Sequence, residues 1–398
     1  MRFLPGIAFC LSLTLPQFAS AQKNLHENAI VVDTHNDVLS SVTLRGLNIE
    51  DDLTGKSHSD LARFRKGGID IQVFSIFCDE NYGAGTAFNY ALREIDSLDA
   101  IVARNPDKMM LVNDITELKK AVRQHKLGAI KGVEGGHMIE DNMNYLDSLF
   151  KRGARYMTLT WNNSTSWASS AWDETNMDLG KPVKISKKGL NDFGKQVVTR
   201  MNQLGMLVDL SHVGIQTFYD ALAVTKKPVI VSHSCAYALC PVPRNLKDDQ
   251  IKAIGKNGGV IHLNFYSGFL DSTYNRKQAA FMQRHQEVLD SLKPLKWPEY
   301  EIAGFLAKKY PAEVDSLRPS MNILLDHLDH IVKLIGVDHV GLGSDFDGIE
   351  SAPQDLDGVE DMPIITSALI VRGYSNADIK KILGGNFLRI FKTAGKGL

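Results

Sequence analysis

Eight short apolar runs rich in β-branched residues recur along the chain, each bounded by turn residues. They are Ala29–Asp33, Ile69–Ile76, Ala129–Glu134, Arg155–Thr160, Met206–Leu210, Pro228–Ser232, Gly259–Asn264 and His339–Ser344. Runs that are apolar throughout, rather than alternating, suit strands covered on both faces. Helical patterns lie between them. Thr86–Arg104 carries Phe88, Ala91, Leu92, Ile95, Leu98 and Ile101 at helical spacing, and Asp114–His125 opens on an N-cap residue. Lys188–Gly205 stops on glycine, and Ser375–Asp378 reads as a capping box. Strand then helix, eight times over, predicts an α/β fold whose parallel sheet closes as a (β/α)8 TIM barrel. An open doubly wound sheet would accept the same alternation. No Gly-x-Gly-x-x-Gly follows the first run, however, so a dinucleotide site has no support.

The interval from about Tyr266 to Ser320 is longer than a barrel crossover needs, and residues 267–320 read as a helical insertion before the last strand. It is either an extra surface helical pair or a cap over the strand ends, where barrel active sites lie. The first 21 residues have a basic Arg2, an apolar stretch from Phe3 to Leu15 and the small-x-small sequence Ala19-Ser20-Ala21. This is the layout of a cleavable export signal, too short to span a bilayer. The expectation is a secreted or periplasmic protein of one domain, residues 22–398, beginning at Gln22. The final FKTAGKGL has no hydrophobic tail, so no stable membrane anchor is expected. Cys78, Cys235 and Cys240 form no Cys-x-x-Cys pair and are too few and odd in number for a disulfide framework. A net charge of −1 gives no sign of a nucleic-acid partner, and leaves a homodimer open.

The chemistry gathers where the runs end. His35 and Asp37 follow the first, Glu134 closes the third, and His212 and His233 follow the fifth and sixth. Asp345 and Asp347 follow the eighth. A barrel brings all these ends to one rim. Neutral imidazole and carboxylate suit Zn²⁺ and related cations. Three His with two acids are too many for one tetrahedral ion that keeps an open position. They suit two ions bridged by a carboxylate and a hydroxide. Glu134 is the expected bridge, with His35 and Asp37 completing one ion, His212 and His233 the other, and Asp345 left for proton transfer. The remaining histidines, His58 and His137 among them, read as structural or solvated.

With these residues in place, VVDTHNDVL, SHSDLARFRKGG, GVEGGH, RYMTLTW, LVDLSHVG, PVIVSHSCAYAL, PRN and VGLGSDFDG together resemble the membrane (renal) dipeptidase family of binuclear zinc hydrolases, within the amidohydrolase superfamily. The resemblance runs in order over essentially the whole chain after residue 21. It implies a metal-dependent peptidase with two Zn²⁺ held by His35, Asp37, Glu134, His212 and His233, with Glu134 and Asp345 catalytic. Arg244 of PRN would bind the carboxylate of a small dipeptide. The family often has a histidine after the Leu-Thr of RYMTLTW, where this chain has Trp161 followed by Asn162 and Asn163. An indole donates one hydrogen bond but never becomes a cation, and losing such a donor costs about 10²–10³ in rate unless another group replaces it. Trp161, Asn162 as the replacement, and Tyr266 at the head of the insertion complete the expected substrate-facing set with Arg244. The same metals could act on a β-lactam, a lactone or an N-acyl amino acid. A barrel that only stores zinc has no use for Asp345.

Overall fold

The structure is a computed structural model that describes residues 24–297 and 299–395. The expected leader, and cleavage after Ala21, lie outside the described residues. Among the described residues nine parallel strands form one sheet: β1 (Val32–Asn36), β2 (Ile71–Phe77), β3 (Met109–Leu111), β4 (Leu127–Glu134), β5 (Ala154–Thr158), β6 (Leu207–Asp209), β7 (Ile230–Ser234), β8 (Val260–Leu263) and β9 (Val340–Leu342). Eight of them run in the order β1-β2-β4-β5-β6-β7-β8-β9. These correspond one to one with the eight runs read from sequence. β3 is additional. It pairs Met109–Leu111 with Leu127–Ala129 of β4, whose edge is open there because β5 joins β4 only from Lys131 onward. Three residues are too few to show a period, which is why no strand was expected at that point.

Closure depends on the segment after β9. Asn36 bridges Phe346 in parallel. The Asp345 N–H donates to the His35 carbonyl at 3.1 Å, and the Asp37 N–H donates to the Phe346 carbonyl at 2.9 Å. Asp33 acts as the clasp: Oδ1 accepts the Ser344 N–H at 2.8 Å and Oδ2 accepts the Ser344 hydroxyl at 2.6 Å. It belongs to barrel closure and not to the ligand set. Its complete burial pushes the carboxyl up to about 6, although Ser344 donates to it.

The expected helices form as Gly83–Arg104, Ile115–Arg123 and Asp192–Leu204. Asp114 caps the second, accepting from the N–H groups of Thr116 and Glu117, and Gly205 ends the third at φ +83°. Ser375 caps Asn376–Lys380 by accepting from the Asp378 N–H. The described part of the insertion is a series of short helices, from Ser267–Leu270 to Pro311–Leu317, that buries a small cluster of its own around Tyr274, Phe281, Leu306 and Leu317. Its first turns reach the barrel mouth, where Gly268, Phe269 and Asn275 wall a cavity of about 740 Å³. No helix among the described residues is long and apolar enough to cross a membrane. All three described cysteines are buried and free.

A candidate metal centre at the barrel mouth

β1 and β7 extend further than the apolar runs suggest, so His35 and His233 lie within strands rather than after them. Glu134 ends β4, while His212 and Asp345 follow β6 and β9. Asp37 is the N-cap residue of Val38–Arg45, yet its side chain makes no capping bond. Asn36 accepts from the Val38 N–H instead, and this leaves both Asp37 oxygens for the site.

The six side chains meet. His35 Nε2 lies 3.4 Å from Asp37 Oδ2, 3.4 Å from Glu134 Oε2 and 3.9 Å from Asp345 Oδ1. The other oxygen of Glu134, Oε1, lies 2.9 Å from His212 Nε2 and 3.4 Å from His233 Nε2. Glu134 therefore stands between two donor sets, one oxygen to each.

Hydrogen bonds behind the imidazoles fix which nitrogen faces the centre. His35 Nδ1 is 2.7 Å from the Tyr156 hydroxyl, which donates to the Thr34 carbonyl and so accepts from the ring. His233 Nδ1 meets the Ser232 hydroxyl at 2.8 Å, itself a donor to Asp209. His212 Nδ1 meets Asn162 Oδ1 at 3.1 Å. Each Nδ1 carries the hydrogen, so each Nε2 offers a lone pair inward. Two of those nitrogens, on His212 and His233, are only 2.9 Å apart. His35 Nε2 and Asp37 Oδ1 are buried without a hydrogen-bond partner. Lone pairs and carboxylates converging on buried space without donors fit a cation.

Burial is the first cause acting on every one of these groups, and neighbouring buried carboxylates act with it at Asp345 and against it at His35. Burial and the neighbouring Asp37 and Glu134 push Asp345 well above the usual carboxylate range, against the opposing pull of His35. Burial opposes a charge on Glu134, but His35 and the close imidazoles of His212 and His233 hold it well below that range. Burial also opposes protonation of His35, yet Tyr156, Glu134 and Asp37 raise it well above the ordinary imidazole value. Burial lowers His212 to about 4 and takes His233 well below its ordinary value, so both are neutral at pH 7, the form a cation needs. Protons or bound cations must supply the missing positive charge.

Backbone strain gathers here too. His212, Asp345 and Asp347 have φ of +64°, +63° and +67°, a region costly for side-chain-bearing residues and frequent at functional sites. Gly348 passes so close that a Cβ there would collide with Asp37 Oδ2 and Asp345 Oδ1. Gly348→Ala is expected to displace both carboxylates and lower kcat/KM about a hundredfold, measured with metal content on the purified variant. Unchanged kinetics would show that the loop yields freely.

The substrate-facing residues divide. Trp161 packs on Phe77 at 5.0 Å and, with Asn162 and Phe269, lines both the 740 Å³ outer cavity and an inner one of about 370 Å³ that contains Asp37, Glu134 and Asp345. Asn162, expected as a substitute donor, takes the His212 Nδ1 contact through Oδ1 at 3.1 Å and so also positions that ring, with its amide N–H groups left over. Tyr266 lines the inner cavity with its hydroxyl donating to Glu350 at 2.8 Å. Arg244 lines the outer cavity. Its guanidinium donates to the Ser234 hydroxyl and the His233 carbonyl, each at 3.2 Å, and lies over the Phe269 ring at 5.4 Å. Its Nε has no partner. His58, stacked on Phe346, and His137, 3.0 Å from the Cys78 carbonyl, stay outside the ligand set. Sequence reasoning missed Tyr156, Ser232 and Asn264. Asn264, directly after β8, donates to Asp345 Oδ2 at 2.7 Å, and the rule that found Glu134 would have found it.

A parallel (β/α)8 barrel with clustered His, Asp and Glu at one mouth is the architecture of a metal-dependent hydrolase. Comparison with known proteins narrows the class. The family described as membrane dipeptidase, peptidase family M19, matches residues 19–396. An uncharacterized dipeptidase of Schizosaccharomyces pombe, C965.12, is 33% identical over 389 residues, covering 93% of this chain and 82% of the relative. Among solved structures, the probable dipeptidase PvdM from Pseudomonas aeruginosa aligns with a TM-score of 0.75 at 23% identity, over 97% of this chain and 100% of that one. A metallo peptidase from Rhodobacter sphaeroides, liganded with a phosphinate mimic of L-Ala-D-Ala, aligns with a TM-score of 0.74 at 23% identity, over 92% and 100%. The chain belongs to the membrane dipeptidase family, peptidase family M19, and is a metallo-dipeptidase.

Proposed function

We propose that this site binds two Zn²⁺ ions and hydrolyses small dipeptides with a free C-terminal carboxylate. The observation that carries the reading is the divided use of Glu134, with Oε2 toward His35 and Oε1 toward His212 and His233. When bound, such ions polarise the scissile carbonyl and bring the pKa of water toward neutrality. Asp345 takes the proton of the attacking water at Oδ1 and returns it to the leaving amine, while Asn264 holds Oδ2. Arg244 pairs with the substrate carboxylate, its unpartnered Nε included. Because Arg244 lines the outer cavity, the C-terminal residue lies there, against Trp161, Trp172 and Phe269. The leader sequence supports export from the cytoplasm.

The test is a dipeptide panel set against the same dipeptides as C-terminal amides. The free acids are expected to react far faster. Arg244→Met should raise KM for them about a hundredfold, equivalent to about 2.7 kcal/mol, within the range for a lost desolvated charge pair. Equal rates on acids and amides would end the carboxylate assignment.

A further inference from the structure

His233 turns Nε2 inward only if the group behind Nδ1 accepts a hydrogen, and that group is the Ser232 hydroxyl at 2.8 Å. A hydroxyl can donate as well as accept, so by itself it would suit either neutral form of the imidazole. Asp209, at the end of β6, removes the choice. Its Oδ2 accepts the Ser232 hydroxyl at 2.5 Å and the Thr158 hydroxyl at 2.7 Å. Its Oδ1 accepts the N–H groups of Ser211 and Ser232 at 3.0 and 2.9 Å. None of these donors is charged, and Asp209 is fully buried between β5 and β7. A buried carboxylate without a cation beside it is costly. Strand pairing uses backbone groups alone and does not require one.

We propose that Asp209 is a positioning residue that selects the metal-binding tautomer of His233, acting through Ser232. The carboxylate can only accept, so the Ser232 hydrogen points to Oδ2. The Ser232 oxygen must then accept, and His233 Nδ1 must carry the ring hydrogen. Ser211 Oγ, 3.2 Å from Ser232 Oγ, already accepts the His233 N–H and is free to donate to the second lone pair of Ser232. His233 Nε2 is left with its lone pair toward Glu134 Oε1, 3.4 Å away. The same aspartate holds the Ser211 N–H, one residue before His212 and its left-handed backbone at φ +64°. Both imidazoles on the Oε1 side of Glu134 are therefore seated on Asp209. The consequence for metal binding rests on the two-zinc reading above, whereas the tautomer itself does not.

The experiment uses Asp209→Asn, which keeps the shape and reverses the chain of hydrogen bonds. The amide oxygen can take the two backbone N–H groups, but the amide nitrogen then faces the Ser232 hydroxyl and donates to it. Ser232 turns its hydrogen to Nδ1, and the ring hydrogen moves to Nε2, where it blocks a cation. Nitrogen-15 NMR of the metal-free protein should show His233 protonated at Nδ1 in wild type and at Nε2 in the variant. Titrated with zinc, wild type should take up two ions. Asp209→Asn should hold one of them about 10- to 100-fold more weakly and the other unchanged. Thr158→Val removes a donor from the same oxygen but leaves Ser232 in place, and should keep the wild-type tautomer and both ions. If Asp209→Asn fails to fold, Ser232→Ala decides, and should weaken the same single ion. Asp209→Asn protein still protonated at Nδ1, or either substitution holding both ions as wild type does, would overturn the inference. So would a Thr158→Val that loses the ion too. Wild type with the expected tautomer that takes up no zinc would end the two-zinc reading and leave the role of Asp209 standing.

Discussion

Dialysis against a chelator is expected to reduce turnover to background and to lower the melting temperature, with both restored on adding back zinc. The expectation follows from what the six side chains do to one another without a cation. Asp37, Glu134 and Asp345 converge on His35, whose Nε2 has no hydrogen-bond partner. His212 and His233 bring two lone pairs to within 2.9 Å. Only protons relieve that repulsion in the empty protein, and they relieve it incompletely. A cation that binds the folded chain and not the unfolded one adds about 4 kcal/mol of stability at a thousandfold excess over its Kd. That is several degrees of melting temperature in a chain of this size. Turnover depends on the ions, whereas the barrel clasp at Asp33 and Ser344 does not, so the empty protein should stay folded at room temperature. Stoichiometry by mass spectrometry should return two zinc per chain. Stripped protein that kept its full rate and its melting point would remove the metal centre from the argument.

The sequence made some of this legible and hid the rest for definable reasons. The eight strands were visible because burial on both faces makes each a short, uniformly apolar run. Glu134, His212, His233, His35 and Asp37 were visible because titratable side chains are conspicuous where such a run ends. The bounds of β1 and β7 were not visible. His35 and His233 point into a polar barrel mouth, so their strands continue past the last apolar residue, a case of tertiary setting overriding pattern. Asp33 stood in the first motif, but its partner Ser344 is 311 residues away, and no local period records that pairing. Tyr156 and Ser232 were hidden for another reason. Neither binds a metal through its own chemistry, and their part in the site is to fix the Nδ1 of His35 and His233. Trp161 stood out in the sequence as a departure from the family's pattern. Its place against Phe77, on the boundary of two cavities, makes it part of the wall between the metal site and the vestibule.

Asp345→Asn should lower kcat by 10²–10⁴, the range for losing a positioned acid–base group, while KM and zinc content stay near wild type. The substitution is well matched to the question. Asparagine is nearly the same shape, and it tolerates the left-handed backbone that Asp345 adopts at φ +63°. Its amide oxygen can still accept from Asn264 Nδ2, as Asp345 Oδ2 does at 2.7 Å. What it cannot do is carry a proton from water to the leaving amine. Two roles for Asp345 are separated by one paired measurement, because its Oδ1 lies near enough to His35 and Asp37 to serve as a ligand as well. A proton carrier loses rate and keeps both ions; a ligand loses an ion along with the rate. Asp345→Asn protein with two zinc and an unimpaired kcat would leave the hydrolysis without its proton shuttle and refute the assigned role.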